Sequence, residues 1–442
     1  MIKVITYGTY DMLHYGHLRL LERAKALGDY LIVGVTSDDY DRTRGKINNQ
    51  QSLMERIESV KQTGLADEII VEDYEGQKID DIKRHDIDIF TVGSDWVGKF
   101  DYLKEYCQVI YLPRTEGVSS TEIRTSHRKL RLGIVGSSGV IPKFIREAKY
   151  VNGVEISGLY TDGNKPAGLP DEIPIADSYP ALLEKSDAIY IISLPEQHYD
   201  HVHQALLAGK HVLCESPVAI RRKDCEALFA FAAEKGLILI DGIKTVYSTA
   251  YSRLVLLAKG GKIGKVVSVD AVCTSLQDLP ADVLDQRWNS ICAWGPTALL
   301  PIFQILGTNY SRRSFTTHFL DREKRFDGFT KIEFTYPDAV ASVKVAKAAK
   351  AEGELIVSGT KGYLYVPAPW WKTDYFEVRY ENATNNKRFF YQLDGEGIRY
   401  EIVAFVKSIE RKKDLGYLSP DISAEIAAAA EEIYCAEDMI EI

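Results

Sequence analysis

The sequence predicts two doubly wound α/β units in tandem, the second continued by an α+β region on an open, mainly antiparallel sheet. Three observations carry this. Short Ile- and Val-rich runs alternate with amphipathic stretches over residues 2–112, as buried parallel strands alternate with crossover helices. The same rhythm restarts at Leu130 with a Gly-rich turn. From about Gly264 the pattern becomes consecutive runs of period two, which is the signature of sheets with one face covered.

The elements follow in order. Strands are expected at 2–7, 30–35, 68–71, 87–92 and 108–112, with helices at 17–27, 53–63 and 78–85. A basic, aperiodic stretch at 124–129 reads as a helix end plus linker. Further parallel strands are expected near 130–135, 155–160, 188–193, 211–214 and 237–241. VVSVDAVCTS, TKIEFTYPD, ASVKVAKAA, GELIVSG, GYLYVPA and YFEVRY supply the later sheet, and the Ala-rich segment 422–439 is a closing helix.

Composition narrows the function classes. A length of 442 residues suggests about three domains. The charge balance, 54 Lys+Arg against 63 Asp+Glu, argues against nucleic acid as a general partner. The six cysteines lack metal-ligand spacing and read as reduced thiols of a cytoplasmic protein. MIKVITYG is an opening strand rather than a leader, and no apolar run is long enough for membrane insertion. A small-molecule role is what remains.

The first site is expected at TYGTYDMLHYGH, residues 6–17. A strand ends at Gly8, and His14 and His17 bracket Gly16 where the next helix begins. Helix starts present free N–H groups and positive potential to phosphate. Two imidazoles there can donate to charge on a transferring phosphorus, and Gly16 permits close backbone approach. These residues, together with ERAKALGDYLIVGVTSDDY, VGSDWVGKFDYL and YLPRTEGVSSTEI, resemble the HxGH nucleotidyltransferases, specifically the glycerol-3-phosphate cytidylyltransferases, over residues 1–124. The resemblance implies a cytidylyltransferase domain at 1–126 and a linker at 127–130. It implies CMP transfer from CTP, carried with Mg²⁺, to a small polyol or sugar phosphate, with glycerol phosphate the expected acceptor, yielding a CDP-alditol for surface polymers. His14, His17, Lys46 and Arg114 are then the catalytic candidates. Thr9, Asp11, Gly16, Arg114, Thr115, Ser119 and Ser120 would bind nucleotide. Arg56 and Lys78 are candidates for the acceptor phosphate, the alternative being a solvated surface role. The lysine cluster usual in the family is thinner here, since Arg44 and Gly45 precede Lys46.

The second half, through LGIVGSSG, SLPEQHYDHVHQALLAGKHVLCESP, KIGKVVSV and IVSGTKGYLYV, resembles the Gfo/Idh/MocA oxidoreductases. That implies a dinucleotide-binding Rossmann domain at 131–250 and an antiparallel-sheet domain at 251–442 for substrate and oligomerisation, with homo-oligomers as the expected state. NAD(P) contacts would fall on Gly136, Ser138, Gly139, Thr161, Asp162 and Glu215. The pattern departs from the family in four places. Ser138 and Ile141 replace the second and third glycines of the fingerprint. Thr161 stands where an acidic residue is expected, with Asp162 beside it. Ser216 replaces the lysine of the Glu-Lys-Pro motif, and Thr297 and Leu300 replace a His and an Asp. Two readings stay open. One is a fold retained for nucleotide sensing or dimerisation. The other is a rebuilt carbonyl reductase with Lys244 or Tyr247 as proton donor.

Overall fold

A computed structural model describes the chain except for residues 14, 44–48, 50, 75, 114–128, 152, 164, 373, 392, 415–416 and 436–438, and except for the side chains at 39, 42, 43, 282 and 394. The chain divides into two compact units, Met1–Lys129 and Leu130–Ile442.

In the first unit, β1 (Lys3–Gly8), β2 (Tyr30–Thr36), β3 (Glu68–Glu72), β4 (Ile89–Gly93) and β5 (Gln108–Leu112) form one parallel sheet. Its order is β3-β2-β1-β4-β5. The crossovers include α1 (Tyr15–Lys25), α2 (Asp38–Thr43), α3 (Leu53–Gln62) and α4 (Gln77–His85). Alternate residues of β1 explain why these strands read as continuous apolar runs. Val4 packs with Leu21, Leu31, Val33 and Val60 on one face, while Ile5 packs with Ile32, Ile82 and Phe90 on the other. Both faces are covered, so no polar alternation is possible. Helix α3 starts at a capping box in which Ser52 and Glu55 satisfy each other's backbone N–H groups.

The second unit opens with β6 (Leu130–Val135), α5 (Ile141–Ala148), β7 (Val154–Tyr160), α6 (Tyr179–Lys185), β8 (Ala188–Ile191), α7 (Pro195–Leu207), β9 (His211–Glu215), α8 (Arg222–Glu234) and β10 (Leu239–Gly242). The strands are parallel in the order β10-β9-β8-β6-β7. After α9 (Thr249–Lys259) come β11 (Val266–Thr274), α10 (Ala281–Leu284), α11 (Ser290–Leu306), β12 (Arg312–Asp321), β13 (Phe326–Thr335), β14 (Val340–Ala346), β15 (Leu355–Gly359), β16 (Tyr363–Val366), β17 (Tyr375–Arg379), β18 (Lys387–Phe390), α12 (Ile398–Glu410), α13 (Pro420–Cys435) and β19 (Ile440–Glu441). These strands make a nine-stranded sheet in the order β18-β17-β16-β15-β11-β14-β13-β12-β19. Most pairs are antiparallel, but β11 runs parallel to β14 and β12 parallel to β19.

The closing helix α13 is tied to that sheet through Arg313 of β12, which pairs with Glu432, and also reaches the core of the parallel sheet. Ala427 is buried in the same core as Leu228 and Ala232 of α8, and Arg222 of α8 pairs with Glu425. This return tie welds the parallel and mixed sheets into one unit. Among the described residues, no helix is long and apolar enough to cross a membrane.

Candidate functional site

In the first unit the sheet reverses its strand order between β1 and β4, the place where open α/β sheets form a crevice. The loop after β1 lies there. Tyr10 and Met12 adopt φ values of 53° and 49°, left-handed backbone that non-glycine residues adopt at a cost and that clusters at functional sites. The loop is clamped on both flanks. Asp11, buried, accepts from the Gln51 N–H at 2.9 Å, and the Gln51 side chain accepts from the Met12 N–H at 2.8 Å. The Thr9 hydroxyl donates to Asp41 at 3.1 Å. Gly16 and His17 lie in the first turn of α1, and the His17 ring meets Tyr10 edge-on with centroids 5.5 Å apart. Thr9, Asp11, Gly16 and His17 are thus gathered at one crevice. His14, Lys46, Arg114, Thr115, Ser119 and Ser120 lie outside the described residues.

Two expectations need correction. Arg56 is fully buried, and its guanidinium donates to the carbonyls of Thr9 and Thr36 at 2.7 and 2.8 Å and to Asp38 at 2.5 Å. It is neither an acceptor ligand nor a solvated residue. It is an internal strut, with partners inside the protein for both terminal nitrogens of its buried guanidinium. Lys78 is likewise buried, paired with Glu72 and 4.6 Å from the Tyr7 ring centroid. It lines a pocket of about 50 Å³ with Tyr7, Gly8, Thr9, Trp96 and Phe100. A buried Lys78 facing that pocket is not the solvated surface residue of the alternative reading.

In the second unit, the strand ends converge on a cavity of about 500 Å³. Ser137 and Ser138 reach it after β6, Ile192–Leu194 after β8, Glu215 at the end of β9 with Ser216 after it, and Lys244 after β10. Gly136 has φ 135°, and a Cβ there would sit 2.3 Å from the Ile192 carbonyl oxygen. The tight turn of a dinucleotide site is therefore kept. The replaced glycines act differently: the Ser138 hydroxyl accepts from the Val140 N–H at 3.3 Å, and Ile141 is buried in the helix–sheet seam. Gly139 is open, with nothing near its would-be Cβ. Thr161 and Asp162 follow β7, with the Asp162 carboxylate accepting from Gln197. His198, buried, lies 2.8 Å from the Pro217 carbonyl and 3.0 Å from that of Ser193, fixing two cavity-lining segments.

Burial shifts Glu215, which lines the cavity, and two further buried acids, Glu401 and Asp241. It raises Glu215, opposed by the Tyr190 hydroxyl and Lys244, and raises Glu401 with help from Glu215. Burial also lifts Asp241 to about 6. Tyr247 is corrected as a proton donor: it is buried, packs edge-on against Tyr417 and does not line the cavity. Lys244 does line it, with its ammonium 3.5 Å from Glu396. Of the family's two lost positions, Thr297 faces the cavity while Leu300 is core. Sequence reasoning missed Trp288, Trp294 and Trp371, which wall the cavity with Lys372. The usable signal was rarity, since the chain has five tryptophans and three converge here.

The turn at Gly136, the start of α5 and the cavity beyond them fit a dinucleotide, which Ser137 and Ser138 in the cavity wall and Asp162 after β7 could hold.

Comparison with known proteins separates the two units. The family model described as Cytidylyltransferase-like matches residues 5–126, and that described as Oxidoreductase family, NAD-binding Rossmann fold, matches 130–242. A glycerol-3-phosphate cytidylyltransferase of Bacillus spizizenii is 55% identical over 124 residues, 28% of this chain and 95% of that protein. A dTDP-3,4-didehydro-2,6-dideoxy-alpha-D-glucose 3-reductase of Actinomadura kijaniata is 36% identical over 100 residues, 22% of this chain and 30% of that protein. The crystal structure of a 3-ketoreductase from Actinomadura kijaniata, in complex with NADP and TDP-benzene, covers 71% of this chain and 100% of its own with a TM-score of 0.62. At 18% identity that likeness shows the fold. Through residues 5–126 the chain belongs to the cytidylyltransferase-like family of nucleotidyltransferases, and it carries behind that domain a Gfo/Idh/MocA oxidoreductase domain of the NAD-binding Rossmann fold.

Proposed function

We propose that the first unit transfers CMP from CTP to glycerol phosphate or a closely related alditol or keto-sugar phosphate. An oxygen of the acceptor phosphate attacks the α-phosphorus of MgCTP. The bond from that phosphorus to the bridging oxygen breaks, pyrophosphate leaves, and a CDP-alditol forms. A phosphate monoester dianion is already nucleophilic, so positioning and charge stabilisation carry the rate. His17 in the first turn of α1 is assigned, with His14, to the charge that develops on phosphorus. Lys46, Arg114, Thr115, Ser119 and Ser120 are assigned to the nucleotide phosphates. The observation that carries this reading is the 55% identity over nearly the whole of a glycerol-3-phosphate cytidylyltransferase. Purified protein given MgCTP and glycerol 3-phosphate should release pyrophosphate. Silence with every member of a panel of alditol and ketose phosphates overturns the reading.

A second activity is favoured by the cavity at the strand ends of the second unit. We propose that this unit reduces a carbonyl group with NAD(P)H. The bound nicotinamide would supply hydride, and a protein acid would supply the proton that completes the hydroxyl. Glu215 suits that part: it lines the cavity, and burial favours its protonated form. Ser137, Ser138 and Asp162 would hold the dinucleotide. Quenching or enhancement of NADPH fluorescence on mixing with the full chain is expected, and its absence with carbonyl compounds present would favour a non-catalytic domain.

A further inference from the structure

Lys244 and Lys372 reach the same cavity from different elements, one after β10 and one before β17. Both meet a single oxygen. Oε2 of Glu396 lies 3.0 Å from the Lys372 Nζ and 3.5 Å from the Lys244 Nζ, while its Oε1 lies 2.8 Å from Lys143 of α5. Burial works against charge on this carboxyl, yet Lys143, Lys372 and Lys244 outweigh it and hold Glu396 down at about 2. Three cations around one anion leave two positive charges uncompensated. Burial raises both Glu215 and Glu401, the acids next to Lys244, and so works against their charged forms, with Lys244 opposing it. Glu396 itself stands at φ 55° between Gly395 and Gly397, both also left-handed, so the local chain is bent to present it.

We infer that Lys244 and Lys372 form a phosphate subsite, that Oε2 of Glu396 stands where a ligand phosphate oxygen binds, and that the substrate of the second unit is a small carbonyl compound bearing a phosphate monoester. The inference rests on the reductase reading of this unit. A monoester dianion matches the two uncompensated charges. Convergence of both lysines on one point suits a single phosphoryl group better than the extended pair of a diphosphate. Glu396 can yield Oε2's partners while Oε1 keeps Lys143. Trp294 and Trp371, ring centroids 5.0 Å apart, wall the space left for the carbon chain. Reduction then precedes nucleotidyl transfer: the product is an alditol phosphate whose monoester is still free to act as the nucleophile in the first unit.

Inorganic phosphate is the first probe, titrated against the full chain by tryptophan fluorescence. Lys372→Ala should weaken its binding by about tenfold or more, as expected for losing a charged hydrogen bond. Lys372→Arg should restore much of it, and Glu396→Gln, which removes the competing anion with little change of shape, should tighten it. In NADPH oxidation, Lys372→Ala should raise KM for ketose phosphates by about tenfold more than it changes KM for the matching unphosphorylated ketoses. If phosphate binding ignores both residues, or if CDP-linked carbonyl compounds are used better than monoesters, the inference fails. If wild type and Lys372→Ala reduce an unphosphorylated compound equally well and phosphate binds to neither, the reductase reading stands and the subsite falls. If phosphate binding follows Lys372 and Glu396 but no carbonyl compound is reduced, the subsite stands and the reductase reading falls.

Discussion

Nη1 of Arg56 donates to the carbonyl oxygen of Thr9 at 2.7 Å, and the same nitrogen donates to that of Thr36 at 2.8 Å. One buried guanidinium therefore joins the ends of the neighbouring strands β1 and β2. Nη2 holds Asp38 of α2 at 2.5 Å, and Asp41 lies 3.8 Å from Nη1. Thr9 leads directly into the left-handed residues Tyr10 and Met12, so Arg56 fixes the start of the strained loop that carries the first site.

Removing that strut should damage folding and catalysis together. Arg56→Ala strands two carbonyls and takes the cation away from the buried Asp41, and loss of one partner from a buried ion pair costs about 3–5 kcal/mol. Arg56→Lys keeps the charge but not the planar fork, so it should recover only part of the loss. Thermal unfolding and pyrophosphate release measure the two effects. An Arg56→Lys protein that melts and turns over like wild type would show that the fork is dispensable.

His17→Ala should behave differently. Its ring packs only partly buried against Tyr10, so unfolding should shift little. Cytidylyl transfer should fall by about 100-fold or more, as when a main electrostatic stabiliser is removed. The loss should appear in kcat. A change confined to the KM for CTP would move His17 from the transition state to ground-state binding.

What could be read in advance follows from how local each feature is. The strands of the first unit were legible because both faces are buried and each run is apolar throughout. The crevice residues Thr9, Asp11, Gly16 and His17 were legible because they share one short segment. Arg56 was not: in α3 it looks like any charged helix residue, and its burial depends on carbonyls of β1 and β2 and acids of α2. The cluster of Lys143, Lys244, Lys372 and Glu396 draws on elements far apart in sequence, and no local pattern announces it. Strand β12 was missed because its inward face includes the buried Thr317 beside Phe315, which blurs the period. Helix α12 was missed because it buries Glu401 among Ile402, Phe405 and Val406.

Asp241 makes the second unit's stability depend on pH. Its ordinary value of 3.8 is raised to about 6, chiefly by burial, with Ser423 and Ser216 opposing and Glu215 reinforcing the shift. The folded state therefore holds its proton more tightly than the unfolded state. The resulting stabilisation is full below about pH 4 and is lost as pH rises through about 6, a change of about 2–3 kcal/mol. Asp241→Asn, neutral throughout, should flatten this part of the profile and narrow the difference between melting at pH 5 and at pH 8. An unchanged slope would mean that another group sets it.

Gly136 and Gly139 lie in the same turn and should respond oppositely to alanine. At Gly136 the backbone is at φ 135° and a Cβ would press to 2.3 Å from the Ile192 carbonyl oxygen. Neither atom can move without shifting the end of a central strand, so Gly136→Ala should cost about 2 kcal/mol or more and weaken NADPH binding. At Gly139 nothing lies within 4 Å of a Cβ and the backbone is not left-handed. Gly139→Ala should fold as wild type, and any loss of NADPH affinity it shows would then report crowding of the ligand itself. The two variants thus separate the turn's geometry from its contact with the dinucleotide. Equal damage to the melting transition from both would refute the role given to Gly136.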